Sequence, residues 1–319
     1  MPSAIDIRDV SHSFASRRAL YNVSVEIQPG ERFAFVGPNG SGKTTLFRLI
    51  STLFPLSAGE IDICGDSVAA TPSLVRQHLG VVFQSPCLDR FLTVRENIEL
   101  EGSLFGLSGA TCRSQTALLA DRFGFTDRLS DLAAKLSGGM RRRVEIAKTL
   151  LHSPEVILLD EPTGPLDPSA RRALWELLDC VRRQDGVTVV FTTHLLEEAE
   201  QADRVAILDE GRLIACDSPA ALRSSLGSDI LSVRPLDVAA ATQSLHEAFG
   251  ILPQSVDGSL RVTLSADRNA LARYMQKPHP EVASLSVASP TLEDVFLDRT
   301  GRCFTPVEPS VKGASHGHR

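Results

Sequence analysis

The sequence predicts an α/β domain built around a parallel sheet, with a helical subdomain inserted in it and a small α+β domain after it. The first observation is three short apolar runs at residues 31–36, 156–160 and 187–193. Near-continuous apolar runs are typical of parallel strands that are buried on both faces. The second observation is that helix-like segments separate these runs, which is the order of elements in an α/β protein.

The limits of the first domain follow from how far this pattern extends. The α/β pattern covers residues 1–225, and a mostly helical stretch of about 88–150 interrupts it, which predicts the helical subdomain. Thr93 with Glu96 fits a capping box that opens one of the helices of this subdomain.

The pattern changes after residue 225. Residues 226–301 read strand, helix, two strands around Asp257–Gly258, helix and strand, which is the β-α-β-β-α-β order of a small separate domain. Leu292, Val295 and Phe296 then share one helical face. This apolar stripe is expected to cover either the sheet of its own domain or a neighbouring subunit.

Charge, hydropathy and cysteine content exclude several classes of protein. The net charge of −6 argues against a general nucleic-acid-binding surface. No apolar run approaches the roughly 18–20 residues that cross a bilayer, and the N-terminus has no secretion signal. The six cysteines show no CxxC spacing and are interpreted as reduced thiols of a cytosolic protein. Residues 302–319 are predicted to be a disordered tail, in which His316 and His318 are solvated rather than bound to a metal.

A phosphate-binding loop follows the first apolar run. The segment GPNGSGKT fits the spacing G-x-x-x-x-G-K-[ST] between a predicted strand and a predicted helix. Its glycines let backbone N–H groups surround the phosphates of a nucleotide, and the helix N-terminus adds its dipole. Lys43 would bridge the β- and γ-phosphate oxygens, and the Thr44 hydroxyl would bind Mg²⁺. The nucleotide-binding residues predicted here are Gly37, Pro38, Asn39, Gly40, Ser41, Gly42, Lys43, Thr44 and Thr45.

Two acids end the second apolar run, VILLDEP. Asp160 is at the C-terminal end of a predicted buried strand, where open α/β sheets place their ligands, and it suits Mg²⁺ binding. Glu161 beside it would position or polarise the attacking water in a phosphoryl transfer. The alternative is an acidic pair that merely starts a loop, and the phosphate loop upstream argues against it.

Six motifs in a fixed order identify a family. GPNGSGKTT, VVFQS, LSGGM, LLDEP, PLDP and TTH follow one another, and their order resembles that of the ABC transporter ATPases over residues 5–220. The resemblance implies a P-loop NTPase fold, with ATP and Mg²⁺ as ligands and a second ATPase subunit as partner. It also implies that Ser137, Gly138 and Gly139 contact the γ-phosphate of the ATP that the second subunit holds. A helix N-terminus suits that role, although Ser137 is equally a good N-cap.

The resemblance gives a role to four further residues. Gln84 resembles the glutamine that contacts Mg²⁺ and the attacking water, and His194 resembles the histidine that contacts the γ-phosphate. Asp167 resembles an aspartate that crosses to the second subunit, and it also suits an N-cap before a proline. Phe14 resembles the aromatic that stacks on adenine, the alternative being a core aromatic. The catalytic set expected from these motifs is Glu161, His194, Gln84 and Lys43.

Two positions depart from the family pattern. Met140 stands where glutamine is commoner, and Pro165 stands where relatives usually have glycine. Because proline fixes φ and lacks an N–H, the loop around Pro165 is expected to differ in shape. Three arginines follow Met140, and successive helical residues point about 100° apart. Arg143 is therefore expected to border the apolar stripe, and Arg141 and Arg142 to face away from it.

The type of transporter is suggested by two segments together. LSGGMRRR and SPTLEDVFLDRTGR resemble the ATPase subunits of drug, polysaccharide and lipo-oligosaccharide exporters of the daunorubicin-resistance type, whose permeases are of the ABC-2 class. The resemblance implies a homodimer, separate integral membrane permease subunits, no nucleic-acid partner and a location at the cytoplasmic face of the membrane. The alternatives are the ATPase of an importer and a soluble non-transport ABC ATPase. The transported substrate stays open, because its contacts lie in the permease.

Overall fold

The structure is a computed structural model, and it describes residues 2–14, 17–227, 229–256, 258–264, 268–302 and 304, without the side chains of 268 and 269. The chain divides into two compact units, Met1–Pro219 and Ala220–Arg319. Apart from residues 302 and 304, the predicted tail, with its two histidines, lies outside the described residues.

The first unit carries ten strands and most of the helices of the described chain. Its strands are β1 (Ile5–Phe14), β2 (Arg17–Ile27), β3 (Arg32–Val36), β4 (Ala58–Ile63), β5 (Asp66–Ser67), β6 (Leu79–Val82), β7 (Val156–Asp160), β8 (Thr188–Thr193), β9 (Arg204–Asp209) and β10 (Arg212–Asp217). Its α-helices are α1 (Lys43–Ile50), α2 (Pro72–His78), α3 (Val94–Leu104), α4 (Gly109–Phe123), α5 (Gly138–Thr149), α6 (Pro168–Asp185) and α7 (Leu196–Ala199), and α8 (Pro219–Ser224) follows at the boundary.

A six-stranded sheet forms the centre of this unit, in the order β10-β9-β3-β8-β7-β6. The pairs from β9 to β6 are parallel, and β10 is antiparallel to β9. Every residue of β3, β7 and β8 is buried, which confirms that the three apolar runs are central strands. Because parallel strands end at the same edge, the residues after β3, β7 and β8 are brought together there.

A second, antiparallel sheet in the order β2-β1-β4-β5 lies in the same unit. Ile5, Val25 and Ile61 of this sheet join Phe33 and Leu46 of the central sheet and α1 in one apolar cluster. The sequence motifs do not predict this sheet.

The helical subdomain consists of α3, α4 and α5. Thr93 caps α3, and it forms the predicted capping box with Glu96, whose carboxylate accepts from the Thr93 N–H at 2.7 Å. Ser137 caps α5 by accepting from the Met140 N–H at 3.3 Å. Helix α5 contacts α3, α4 and β6, so more than one of its faces is covered.

The second unit contains β11 (Asp229–Pro235), α9 (Val238–Phe249), β12 (Gln254–Val256), β13 (Ser259–Leu264), α10 (Arg268–Met275), β14 (Val282–Ala288) and α11 (Leu292–Thr300). These elements follow the β-α-β-β-α-β order, and the strands form an antiparallel sheet in the order β12-β13-β11-β14. Leu292, Val295 and Phe296 on α11 are almost fully buried within the single chain, so this stripe is not open to a second subunit. None of the described helices is long and apolar enough to cross a membrane.

Candidate functional site

The phosphate loop lies between β3 and α1, as its spacing predicts. Gly42 precedes α1 with φ +105°, a conformation that side-chain-bearing residues rarely adopt. At Gly37 a Cβ atom would lie only 2.2 Å from the Leu208 carbonyl oxygen and 2.5 Å from Ser41 Oγ. The loop therefore requires glycine at both ends. Gly42 adopts a positive φ, and Gly37 lies too close to Leu208 and Ser41 for a side chain.

Lys43 brings a buried positive charge into this loop. The side chain is 5% exposed, and its Nζ donates to the carbonyl oxygens of Gly37 and Pro38 at 2.6 and 3.0 Å. Burial lowers the pKa of Lys43, and the charges of Glu161 and Asp160 oppose that shift. A buried cation in a glycine-rich loop at a helix N-terminus is suited to bind the phosphates of a nucleotide.

Ser41 supplies a second sign of a polar ligand at the loop. Its Oγ is buried and has no hydrogen-bond partner among the described residues. A buried hydroxyl without a partner is costly, and such groups concentrate where a ligand completes the hydrogen bonding.

Asp160 ends β7 at the edge of the sheet beside the loop. Its Oδ1 accepts from Thr192 Oγ1 of β8 at 2.5 Å, and the two residues face each other in the parallel register. Burial raises the pKa of Asp160, and the neighbouring Glu161 charge adds to that shift. The Thr192 hydrogen bond and the charges of Arg48 and Lys43 only partly oppose it. A cation bound to this carboxylate would offset that cost.

Glu161 is the point where three of the four expected catalytic residues meet. Its Oε2 accepts from the Gln84 amide at 3.0 Å, and its Oε1 lies 3.2 Å from His194 Nδ1. Its backbone has φ +43°, an unusual value for a residue with a side chain. The Glu161 N–H donates to Thr192 Oγ1 at 3.0 Å, which anchors this turn to β8. The carboxylate is thus held between an amide and an imidazole at the edge of the nucleotide loop.

A cavity of about 1070 Å³ surrounds these groups. Its walls include seven of the predicted nucleotide-binding residues, Glu161 and both of its partners, together with six residues that the motifs did not indicate. The full lining is Phe14, Arg17, Arg18, Ala19, Tyr21, Asn39, Gly40, Gly42, Lys43, Thr44, Thr45, Gln84, Glu161, His194, Glu210 and Arg212.

The residues that the motifs missed include a basic and aromatic group at the mouth of the cavity. The guanidinium groups of Arg18 and Arg212 lie 4.7 and 4.6 Å from the centre of the Tyr21 ring. Arg17 Nη2 is the side-chain atom nearest to a Cβ built at Gly40. The only sequence signal was the basic pair shortly after Phe14, which itself is 43% exposed and therefore open to a ligand.

Ser137, Gly138, Gly139 and Asp167 do not line this cavity. Ser137 and Gly138 are exposed, and a Cβ at Gly138 would meet open space. Asp167 caps α6, with its Oδ1 accepting from the N–H groups of Ser169 and Ala170 at 2.9 Å. These backbone hydrogen bonds lower the pKa of Asp167. Ser137 and Asp167 are therefore N-caps in the single chain. Neither of them lines the nucleotide cavity of the same subunit.

The loop before Asp167 is a hydrogen-bonded turn in which Pro165 is exposed. The Leu166 N–H donates to the Thr163 carbonyl at 2.9 Å, and the Gly164 N–H donates to the Glu161 carbonyl at 3.3 Å. Proline occupies the neighbouring position, where the missing N–H leaves this turn intact.

The prediction for the three arginines was wrong in one respect. Arg142, expected to face away from the packed side of α5, is the most buried of the three at 4% exposed, whereas Arg141 and Arg143 are only partly buried. Val144, Ile146 and Ala147 on other faces of α5 are buried as well. The apolar stripe alone did not indicate that the opposite face of the helix is covered.

The residues at this edge offer ligands that Mg²⁺ prefers. Thr44, Gln84 and Asp160 each carry a side-chain oxygen, and hard divalent cations of this size take oxygen ligands. Two of the three line the cavity, and Asp160 adjoins Glu161, which also lines it. The donor set therefore fits a magnesium ion beside the phosphates of a bound nucleotide.

Comparisons with known proteins also indicate a nucleotide-binding protein. A family model described as ABC transporter matches residues 20–164. The chain is 35% identical to a daunorubicin/doxorubicin resistance ATP-binding protein of Streptomyces peucetius, over 93% of this chain and 92% of that protein. It is 34% identical to a Nod factor export ATP-binding protein of Paraburkholderia xenovorans, over 94% and 98%. A solved dimer of an ATP-binding cassette in a post-hydrolysis state, bound to ADP and Pi, is similar in structure, with a TM-score of 0.61, 29% identity, and 67% and 98% coverage.

Proposed function

The chain belongs to the ABC transporter family as an ATP-binding subunit that hydrolyses ATP, and on this premise we propose that two copies clamp two ATP molecules and drive export through a separate membrane permease of the ABC-2 class. The observation that carries the hydrolytic part is the convergence of Gln84 and His194 on the Glu161 carboxylate. The cargo would be a drug, a lipid or a polysaccharide, and the subunit would act at the cytoplasmic face of the membrane.

Each residue of the site then has a distinct task. Glu161 accepts a hydrogen bond from the attacking water and orients it toward the γ-phosphate, while His194 and Gln84 fix the carboxylate. Lys43 neutralises charge on the phosphate oxygens. Thr44, Gln84 and Asp160 would hold Mg²⁺, which when bound would stabilise the charge of the transferring phosphoryl group.

Adenine would be held at the mouth of the cavity. The exposed ring of Phe14 can stack on the base. The aromatic neighbours of Phe14 support its orientation, because its ring lies edge-on to His12 at 4.7 Å and to Phe54 at 5.6 Å.

The dimer is supported by the separation between the cavity and the start of α5. Ser137, Gly138 and Gly139 lie at an exposed helix N-terminus, which is an anion site that this subunit's own cavity does not use. In a second copy placed face to face, this N-terminus would meet the γ-phosphate bound by the other subunit, with Asp167 near the same contact.

The permease would contact the surface that follows Gln84. A groove of about 330 Å³ there includes Pro86, Leu88 and Arg90, and Phe91 beside it is 80% exposed. An exposed aromatic next to a groove is typical of an interaction site. Because Gln84 touches Glu161, a partner bound at this surface would sense the state of the site.

Export rather than import is favoured by the relatives, which are named for drug resistance and Nod factor export and are matched nearly end to end, the C-terminal unit included. Purification from detergent-solubilised membranes, with identification of a multi-spanning ABC-2 protein in equimolar amount, tests this part. An importer permease in its place would overturn it.

Glu161→Gln tests the hydrolytic part. The amide cannot accept the water proton, so we expect about a 10²-fold or larger loss of kcat, with the Kd for ATP unchanged. ATP should also hold this variant as a dimer in size-exclusion chromatography. Glu197→Gln, at an exposed position of α7, is the matched control and should hydrolyse as the unmodified chain. Near-normal hydrolysis by Glu161→Gln would remove the proposed role.

A further inference from the structure

Arg142 connects α5 to the backbone that carries the catalytic acids. Its Nε donates to the Pro162 carbonyl at 2.9 Å. Its Nη2 donates to the carbonyls of Asp160 and Glu161 at 3.2 and 3.4 Å. Its Nη1 donates to the Phe83 carbonyl at 2.7 Å. One guanidinium thus binds the end of β7 and the residue before Gln84.

The carbonyls that Arg142 binds are those on either side of the unusual backbone angle of Glu161. The Asp160 carbonyl fixes the peptide plane before Glu161, and the Glu161 carbonyl fixes the plane after it. A positive φ at a residue with a side chain is a strained conformation, and it persists only where its surroundings impose it. Arg142, with Thr192 on the other side, supplies that constraint.

The guanidinium is itself held in place by an acid of the same helix. Glu145 Oε2 accepts from Arg142 Nη1 at 3.1 Å, and both side chains are about 5% exposed. The other oxygen, Glu145 Oε1, accepts from the Cys87 N–H at 2.7 Å. Arg142 and Glu145 together therefore bind both ends of the segment from Phe83 to Cys87 that contains Gln84.

We propose that Arg142 is a positioning residue for hydrolysis, which holds the Glu161 carboxylate and the Gln84 segment in their working geometry and links them to α5. This inference rests on the proposed function, because Arg142 acts through Glu161. Ser137 begins α5 five residues earlier, about 7.5 Å along the helix axis. Contact of a second subunit's ATP with that helix start is thereby transmitted through a rigid element to the acid that serves this subunit's own ATP.

Arg142→Lys is the first test. Lysine keeps the charge beside Glu145 but has a single ammonium in place of the planar fork, so it cannot reach carbonyls on both strand ends. We expect kcat to fall about 10- to 100-fold, because small misplacements of catalytic groups have effects of that size. KM and the Kd for ATP should stay within about twofold, since Arg142 does not touch the nucleotide cavity. Arg143→Lys is the matched control and should leave all three unchanged.

A double-mutant cycle with Glu161→Gln separates positioning from a general structural role. If Arg142 acts through Glu161, the double variant should be no slower than Glu161→Gln alone, within about twofold. If the losses multiply, or if Arg142→Lys hydrolyses ATP normally, the inference is wrong. Normal hydrolysis by Glu161→Gln alone would instead overturn the proposed function itself.

A second pair of substitutions tests whether the loss of activity results from a folding defect. The double substitution Arg142→Met with Glu145→Leu replaces the buried ion pair by apolar side chains, so that no unpaired charge is left behind. We expect this chain to fold with a lower Tm, because four backbone carbonyls and the Cys87 N–H lose their partners, and to show the same loss of kcat at unchanged Kd. Normal kcat in a folded Arg142→Met, Glu145→Leu chain would contradict the positioning role.

Discussion

The two units of the chain differ in what they bury. In the first unit, charged side chains such as Lys43, Arg142, Glu145, Asp160 and Glu198 are all at most 5% exposed. Among the described residues of the second unit, the buried set is apolar apart from Tyr274. Burying charge is costly unless partners compensate. The first unit therefore buries charged groups that the proposed catalysis uses, at a cost in folding stability, whereas the buried residues of the second unit only pack.

The buried charges of the first unit are kept by specific partners. Glu198 illustrates this, because Thr193 Oγ1 donates to its Oε2 at 2.8 Å and Thr163 Oγ1 donates to its Oε1. Thr163 lies in the loop before Asp167, and Thr193 precedes His194. The same carboxylate thus binds the loop before Asp167 and the end of β8, and it does so without lining the cavity.

The largest expected effects distinguish ATP binding by a single subunit from the contact with the ATP of a second subunit. Ser137→Arg should abolish hydrolysis while leaving ATP affinity of the monomer intact, because the cation would block the second subunit's γ-phosphate. Lys43→Ala should weaken ATP binding by the monomer about 10- to 100-fold, since it removes a charge-assisted phosphate contact. Equilibrium nucleotide binding and steady-state hydrolysis measure the two effects.

Ser114→Arg, on the exposed side of α4, is the control for adding a cation to the helical subdomain, and it should change neither quantity. If Ser137→Arg weakened monomer binding as much as Lys43→Ala, the helix start would belong to its own subunit's site. That result would remove the proposed contact between subunits.

The next effect concerns the second unit and should appear in stability. Phe296 is 1% exposed, and its ring packs edge-on against Phe304 at 5.1 Å. Phe296→Ala should lower the free energy of unfolding by about 3–5 kcal/mol, the usual loss for a buried phenylalanine. The Kd for ATP of the folded protein should not change.

Denaturant unfolding of the full chain measures this loss, with Leu236→Ala as control because Leu236 is 71% exposed. A loss below about 1 kcal/mol would place Phe296 outside a packed core. A large change in ATP affinity at unchanged stability would contradict the assignment of ATP binding to the first unit and of packing to the second.

The smallest effect tests the cost of buried charge directly. Burial raises the pKa of Asp160 in the folded chain, so its ionised form disfavours folding, and the stability that protonation contributes is lost as the pH rises through that raised pKa. Asp160→Asn keeps an acceptor for Thr192 without the charge. We expect its Tm to exceed that of the unmodified chain by about 2–4 °C at pH 7 in the absence of Mg²⁺.

The difference should shrink as the pH falls from the raised pKa of Asp160 toward the ordinary carboxyl pKa, and it should be absent below that value, where Asp160 is protonated in both the folded and the unfolded state. Asp127→Asn, at an exposed carboxylate, should show no such gain. A lower Tm for Asp160→Asn at neutral pH would mean that the ionised carboxylate stabilises the fold.

Local patterns in the sequence determined the elements and the nucleotide loop. Apolar runs located β3, β7 and β8, and cap residues located the starts of α3 and α5. These features depend on neighbours a few residues apart, so spacing alone predicts them. The family motifs likewise indicated Lys43, Gln84, Glu161 and His194, the side chains now found around one cavity.

Tertiary structure decided which faces are covered and which loops meet. The period of α5 marked one apolar stripe, but α3, α4 and β6 cover other faces, and so Arg142 is buried against carbonyls that lie far away in sequence. Arg17, Tyr21 and Arg212 reach the cavity from strands that no motif linked to it. A helical or strand period reports which residues share a face, whereas the partner of that face is set by long-range packing, which the period does not encode.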